Sequence, residues 1–176
     1  LVYCALIAAL LGVFSQLMIP MTPVPINLAT LAVMLGALLL GKSYGTLAVL
    51  CYLLLGAAGV PVFSGLRGGV SALLGPTGGY LVGYLPYAFL AGMGAARKSF
   101  AQRCLFCLLG TIACYTLGTA WYVIQSGNTL GVSLAHCVLP FLPGDAVKLL
   151  LAAWLSPRLQ KGVKRGERRA LDVNRP

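Results

Sequence analysis

Two ionisable side chains dominate the search for chemistry in this 176-residue chain. Asp145 and Lys148 stand in F-L-P-G-D-A-V-K-L-L-L, inside a stretch (137–155) that is otherwise apolar. Three residues apart, they share one helix face. Ionisable groups within an apolar span are costly and usually face the protein interior or a wet cavity. One reading is a mutual ion pair that fixes helix packing. The other is contact with a polar solute, Asp accepting hydrogen bonds from N–H groups and Lys holding an anion such as a carboxylate. Pro140, Pro143 and Gly144 break the chain just before the pair, which would set it beside a pocket.

A second candidate is the run V-P-V-F-S-G-L-R-G-G-V-S-A-L-L-G-P-T-G-G-Y (60–80). Arg67 is its only charge. Gly75, Gly78 and Gly79 permit tight turns and close backbone approach, and Thr77 and Tyr80 offer hydroxyls. Gly79-x-x-x-Gly83 equally suits helix packing. Near the start, Ala5, Ala8 and Ala9 form a small-residue patch, fit for internal packing or for a partner helix.

Other motifs carry less. Gly36-Ala-Leu-Leu-Leu-Gly41-Lys42-Ser43 matches the phosphate-loop pattern, but its middle residues end an apolar span rather than joining a strand to a helix. Cys104-Leu-Phe-Cys107 lacks a second pair or a nearby His, so it reads as structural. His136, the only His, makes neither a dyad nor a metal site alone. Phe63, Tyr80, Tyr84, Tyr87, Trp121 and Tyr122 could line a pocket or form interface belts, and belts are the commoner case.

The elements that must hold these residues are membrane helices. Apolar residues make up 59% of the chain and charged ones 9%, whereas a water-soluble domain carries roughly 25% charged residues. Six stretches approach the ~20 apolar residues a span requires: 1–19, 26–41, 44–60, 78–96, 104–126 and 137–155. None alternates as a barrel strand would. Residues 1–19 lack an A-x-A-like cleavage site and read as a retained span. With the N-terminus inside, the inner loops and tail hold Lys42, Arg97, Lys98, Arg103 and seven tail cations, against Arg67 outside. That asymmetry predicts an all-α protein of six spans with both termini cytoplasmic. The expected division is a transmembrane body, 1–157, and a basic cytoplasmic tail, 158–176, near anionic lipid. Seven of the thirteen Lys and Arg lie in that tail, opposed only by Glu167 and Asp172, so nucleic acid is not the expected partner. No catalytic residue, metal or cofactor is called for. If ATP powers transport, the motor is another chain.

The runs T-P-V-P-I-N-L-A-T-L-A-V (22–33), G-V-P-V-F-S-G (59–65), L-L-G-P-T-G-G-Y-L-V-G (73–83) and L-P-F-L-P-G-D-A-V-K (139–148) together resemble the BioY family. These are biotin-binding substrate subunits of energy-coupling factor transporters. The resemblance implies a multi-pass protein of the prokaryotic cytoplasmic membrane that performs no covalent chemistry. Its biotin pocket would lie near the outer face, capped by the link between the first two spans. Asp145 and Lys148 match the family's Asp-x-x-Lys element, with the acid toward the ureido ring of biotin and the Lys toward its carboxylate. Ala5-x-x-x-Ala9 looks like the motif that docks such subunits on a membrane-embedded coupling protein, which two cytoplasmic ATPases drive. Arg67 is the candidate second carboxylate partner and Asn27 the candidate ring contact. The family's T-L-Q-T is replaced by Asn27-Leu28-Ala29-Thr30, so the usual Gln has no counterpart at Ala29. The rival reading is a stand-alone ion-coupled carrier with Asp145 as proton site.

Overall fold

The computed structural model describes the backbone of residues 1–19 and 24–173, and side chains up to residue 163. In chain order the elements are α1 (Val2–Gln16), β1 (Met18–Ile19), β2 (Ile26–Asn27), α2 (Ala29–Ala57), α3 (Val70–Leu74), α4 (Gly78–Met93), α5 (Phe100–Ser126), α6 (Leu130–Cys137) and α7 (Leu142–Val173), with a short 3-10 turn at Gly94–Ala96. β1 and β2 pair antiparallel, Met18 opposite Asn27. The link the resemblance made a cap therefore contains a two-stranded pairing, and residues 20–23 between the strands lie outside the described residues.

α2 is two helices back to back. Gly41 takes φ 79° and ψ 178°, a region open essentially to glycine alone. A Cβ added at Gly45 would fall 2.7 Å from the Cα of Ala37, whereas eight residues of straight helix span about 12 Å. The chain thus reverses at Gly41, one residue before the expected break at Lys42–Ser43. The phosphate-loop look-alike is the tip of this hairpin, between two helical arms and not between a strand and a helix.

All six apolar stretches are helical, with shifted bounds. The last one divides: α6 ends at Cys137, a turn containing Pro140 follows, and α7 begins at Leu142 with Pro143 in its first turn, where a missing N–H costs nothing. By length and apolarity α5 could cross a membrane, and α6 with α7 to Val163, bent by 53°, would make another span; α2 is as apolar, but the reversal at Gly41 divides it into two shorter arms. α7 runs through Pro157 without interruption, so the expected boundary between body and tail falls inside a helix. The tail side chains from residue 164 on lie outside the described residues.

α4 packs between α2 and α5. Its face against α5 is a mutual fit. Gly79 and Gly83 of α4 receive Trp121 and Cys114, while Gly110 and Gly118 of α5 receive Tyr87 and Tyr80. Gly79-x-x-x-Gly83 is a packing face, and its consequence is that Tyr80 is driven inward. The outer surface is apolar, with Leu6, Leu54, Leu108, Ile112, Leu150 and Trp154 all exposed, as lipid contact requires.

Both ends of the bundle are tied. At one end the Tyr3 hydroxyl donates to the Val163 carbonyl at 3.4 Å. The Gln160 amide donates there to the carbonyls of Leu38 at 2.6 Å and Ala95 at 3.1 Å. The start of α1, the hairpin tip, the end of α4 and the late part of α7 therefore meet. The other end holds a cavity.

Candidate functional site

The cavity measures about 410 Å³, and Asn27, Arg67, Thr77, Tyr80, Asp145 and Lys148 all line it. They come from four separate parts of the chain, and the fold brings every predicted binding residue to one space. Thr30, Phe63, Ser64, Tyr84, Cys114 and Tyr115 complete much of the wall.

Asp145 and Lys148 form its polar floor. They lie 4% and 7% exposed, and the Lys148 ammonium donates to Asp145 Oδ1 at 2.8 Å. It also donates to the Asn27 carbonyl at 2.7 Å and to Thr30 Oγ1 at 3.1 Å. An ammonium has three protons, so all of them are engaged. Thr30 Oγ1 in turn donates to Asp145 Oδ1 at 3.1 Å, and the Tyr115 hydroxyl donates to Asp145 Oδ2 at 2.6 Å. The pair is thus a local ion pair and also part of the cavity wall. The ion pair of the first reading is present, and both side chains stand on the cavity wall, where the second reading requires them. The network joins α2, α5, α7 and the Asn27 carbonyl of β2, and so locks the floor where they meet.

Asn27 contributes differently from expectation. Its side-chain amide donates to Ser64 Oγ at 2.6 Å, and its Oδ1 accepts from the Ala29 N–H at 3.0 Å. The side chain starts α2 and ties β2 to the following loop, while the carbonyl meets Lys148. Ala29, where the family's Gln is missing, is buried in the core. The neighbouring Thr30 supplies a hydroxyl to the floor.

Arg67 sits on the rim, exposed, on a loop whose shape the sequence dictates. Phe63 and Arg67 bridge through both backbone bonds, at 2.9 and 3.2 Å. Gly65 and Leu66 between them adopt φ 75° and 54°. Gln16 clamps the loop, donating to the Phe63 carbonyl at 3.0 Å and accepting from the Leu66 N–H at 2.9 Å. The Phe63 ring fills the space a side chain at Gly56 would need and packs edge-on against Tyr52, ring centres 5.4 Å apart.

Tyr80 projects to the cavity with its hydroxyl 3.0 Å from Thr119 Oγ1. Trp121 donates from Nε1 to the Gly75 carbonyl at 3.0 Å and so fixes the loop that carries Thr77. The expectation that the aromatics form interface belts is corrected here. Phe63, Tyr80, Tyr84, Tyr87 and Tyr122 are buried, and for Phe63, Tyr80 and Tyr87 the room is opened by Gly56, Gly118 and Gly110 opposite them.

Thr30 and Tyr115 are the residues that sequence reasoning missed. Both are single hydroxyls in apolar helices, and nothing in their spacing relates them to Asp145, 115 and 30 residues away. The available signal was weaker: a buried carboxylate needs more than one donor. At the other candidate motif, Ala8 is buried in the core while Ala5 and Ala9 are exposed on the outer face of α1. Cys107 is buried, and His136 stands exposed on α6.

The BioY family model matches residues 1–165. The chain belongs to the BioY family. It is 41% identical over 165 residues to the biotin transporter BioY of Thermotoga maritima, covering 92% of this chain and 95% of that protein. It is 38% identical over 156 residues to the probable biotin transporter BioY of Pyrococcus horikoshii, covering 89% and 93%. Its fold superposes with a TM-score of 0.84 and 34% identity on the crystal structure of the S-component for biotin from an ECF-type ABC transporter, over 91% of this chain and 89% of that one.

Proposed function

We propose that this chain is the biotin-binding subunit of an energy-coupling factor transporter in the cytoplasmic membrane. The observation that carries the reading is the buried Asp145–Lys148 pair opening on a cavity of about 410 Å³, a volume inside the roughly 300–1,000 Å³ range of small-molecule pockets. Its features match a flat urea-like ring and an apolar bicycle with a carboxylate tail. Asp145 accepts from ring N–H groups. Lys148, with Arg67 at the rim, meets the carboxylate. Phe63 and Tyr84 supply apolar wall, and Asn27, Thr77 and Tyr80 supply polar edges. Because the three Lys148 protons are already engaged, the guest carboxylate takes the place of one of those acceptors.

Six spans with both termini cytoplasmic agree with the architecture. The Gly41 reversal makes two antiparallel arms of α2, and the start of α1 shares an end with late α7 and with Lys42, opposite the cavity. Cations favour the inner side, so the cavity faces out. Ala5 and Ala9, exposed among the outward Val2, Leu6 and Val13, are a smooth strip for the coupling protein, which two ATPases would drive.

Calorimetric titration of the purified protein with biotin, beside thiamine and lipoate, tests the ligand. Saturable binding of biotin alone is expected, and heat from thiamine or lipoate in place of biotin would overturn the reading. Ala9→Trp should leave that titration unchanged and abolish co-purification of the coupling protein. Retained co-purification would remove α1 from the interface.

A further inference from the structure

We propose that the end of the fold opposite the cavity binds the phosphate headgroup of an anionic phospholipid. Four cations, Lys42, Arg97, Lys98 and Arg103, belong to the segments at that end. A Cβ added at Gly92 would lie 2.5 Å from the Cα of Lys42, so the hairpin tip rests on the last turn of α4. Arg97 and Lys98 follow in the link to α5, and the Arg103 Nε–H donates to the Arg97 carbonyl at 3.0 Å. No acid opposes them among the described side chains, since Asp145 is engaged with Lys148 at the far end. Arg103 as a residue is 9% exposed, and among the described residues that carbonyl is its side chain's sole hydrogen-bond partner. A cation buried to this degree without a counter-charge calls for an anion.

Two further features specify which anion. α5, 27 residues long, opens at Ser99 without a side-chain cap, and an uncapped helix start favours a phosphate. The cations also lie along apolar surface. Lys42 Nζ sits 5.8 Å from the Phe89 ring centre and Arg97 Cζ 5.5 Å from that of Phe106. Met93, Phe100 and Leu105 are exposed beside them. A soluble phosphate or an acidic protein segment has no use for that rim. A phospholipid matches both halves, with its headgroup on the cations and its chains on the aromatics.

The test uses the full chain in detergent, titrated with phosphatidylglycerol or phosphatidylcholine and read by native mass spectrometry. The wild type should retain phosphatidylglycerol in preference. Arg97→Gln with Lys98→Gln, both exposed positions, should weaken retention by about 25-fold, because each cation near an anionic lipid contributes roughly five-fold. Arg103→Lys should weaken it several-fold by losing the planar fork. Unchanged biotin titration in these variants shows that they fold. Equal retention by wild type and the double Gln variant would overturn the proposal. So would equal retention of the two lipids, full displacement by glycerol 1-phosphate at the lipid's own concentration, or binding of a polyglutamate peptide in place of phosphatidylglycerol.

Discussion

Replacing Lys148 by Met separates the two roles of the Asp–Lys pair. The ammonium makes three bonds, to Asp145 at 2.8 Å, the Asn27 carbonyl at 2.7 Å and Thr30 at 3.1 Å. Methionine fills a similar volume and makes none of them. The Asp145 carboxylate, 4% exposed, then keeps Thr30 and Tyr115 but has no counter-charge. Breaking a buried pair from one side costs about 3–5 kcal/mol, and the cavity opening beside Asp145 brings this toward the lower figure. For biotin, loss of a charge-assisted bond to the carboxylate is worth about 1.5–3 kcal/mol, or roughly 10- to 150-fold in Kd. Adding Asp145→Asn removes both charges. Stability should then return to within about 1 kcal/mol of wild type, since neutral replacement of a buried pair is cheap. Biotin affinity should fall further, because an amide in place of the carboxylate binds ring N–H groups less strongly. Thermal unfolding in detergent and calorimetric titration read the two quantities on the same samples. A double variant that is stable and still binds biotin as the wild type does would refute the reasoning, since the pair would then serve packing alone.

Three further outcomes follow from the same geometry. Tyr115→Phe removes the 2.6 Å bond to Asp145 Oδ2, a loss of about 1.5–3 kcal/mol for a bond to a charged group. Biotin Kd should rise at least tenfold by titration, and an unchanged value would place Tyr115 outside the binding network. Arg67→Ala should raise Kd by less than about sixfold, because an exposed ion pair contributes about 0.2–1 kcal/mol. The effect should shrink in high salt, and an effect insensitive to salt would count against a rim charge. Gly41→Ala introduces a Cβ that meets nothing within 4 Å at φ 79°. Its cost is therefore backbone strain alone, about 1–3 kcal/mol, seen as a lowered unfolding temperature with biotin affinity unchanged. A wild-type melting temperature would mean the reversal does not need glycine.

The membrane class of this protein is legible in its composition, because hydrocarbon admits helices rich in apolar residues and little else. The anionic-ligand chemistry is legible too. A lone Asp and Lys three residues apart in an apolar run share a face whatever the fold, and the run itself, with its neighbours, carries the BioY resemblance. Helix reversal near Lys42 is visible as a charge between two apolar stretches.

Which hydroxyls hold the carboxylate could not be read from the chain. Thr30 and Tyr115 reach Asp145 across 115 and 30 residues, and only the crossing of α2, α5 and α7 sets them within bonding distance. The aromatic residues went inward for a comparable reason. Whether Tyr80 faces lipid or the cavity depends on Gly118 standing opposite it on α5, and that register is a property of packed helices, not of either sequence alone. Local spacing determines which side chains of one helix share a face. The complement of that face is chosen by whichever helix comes to lie against it, so the site's partners are decided by tertiary packing.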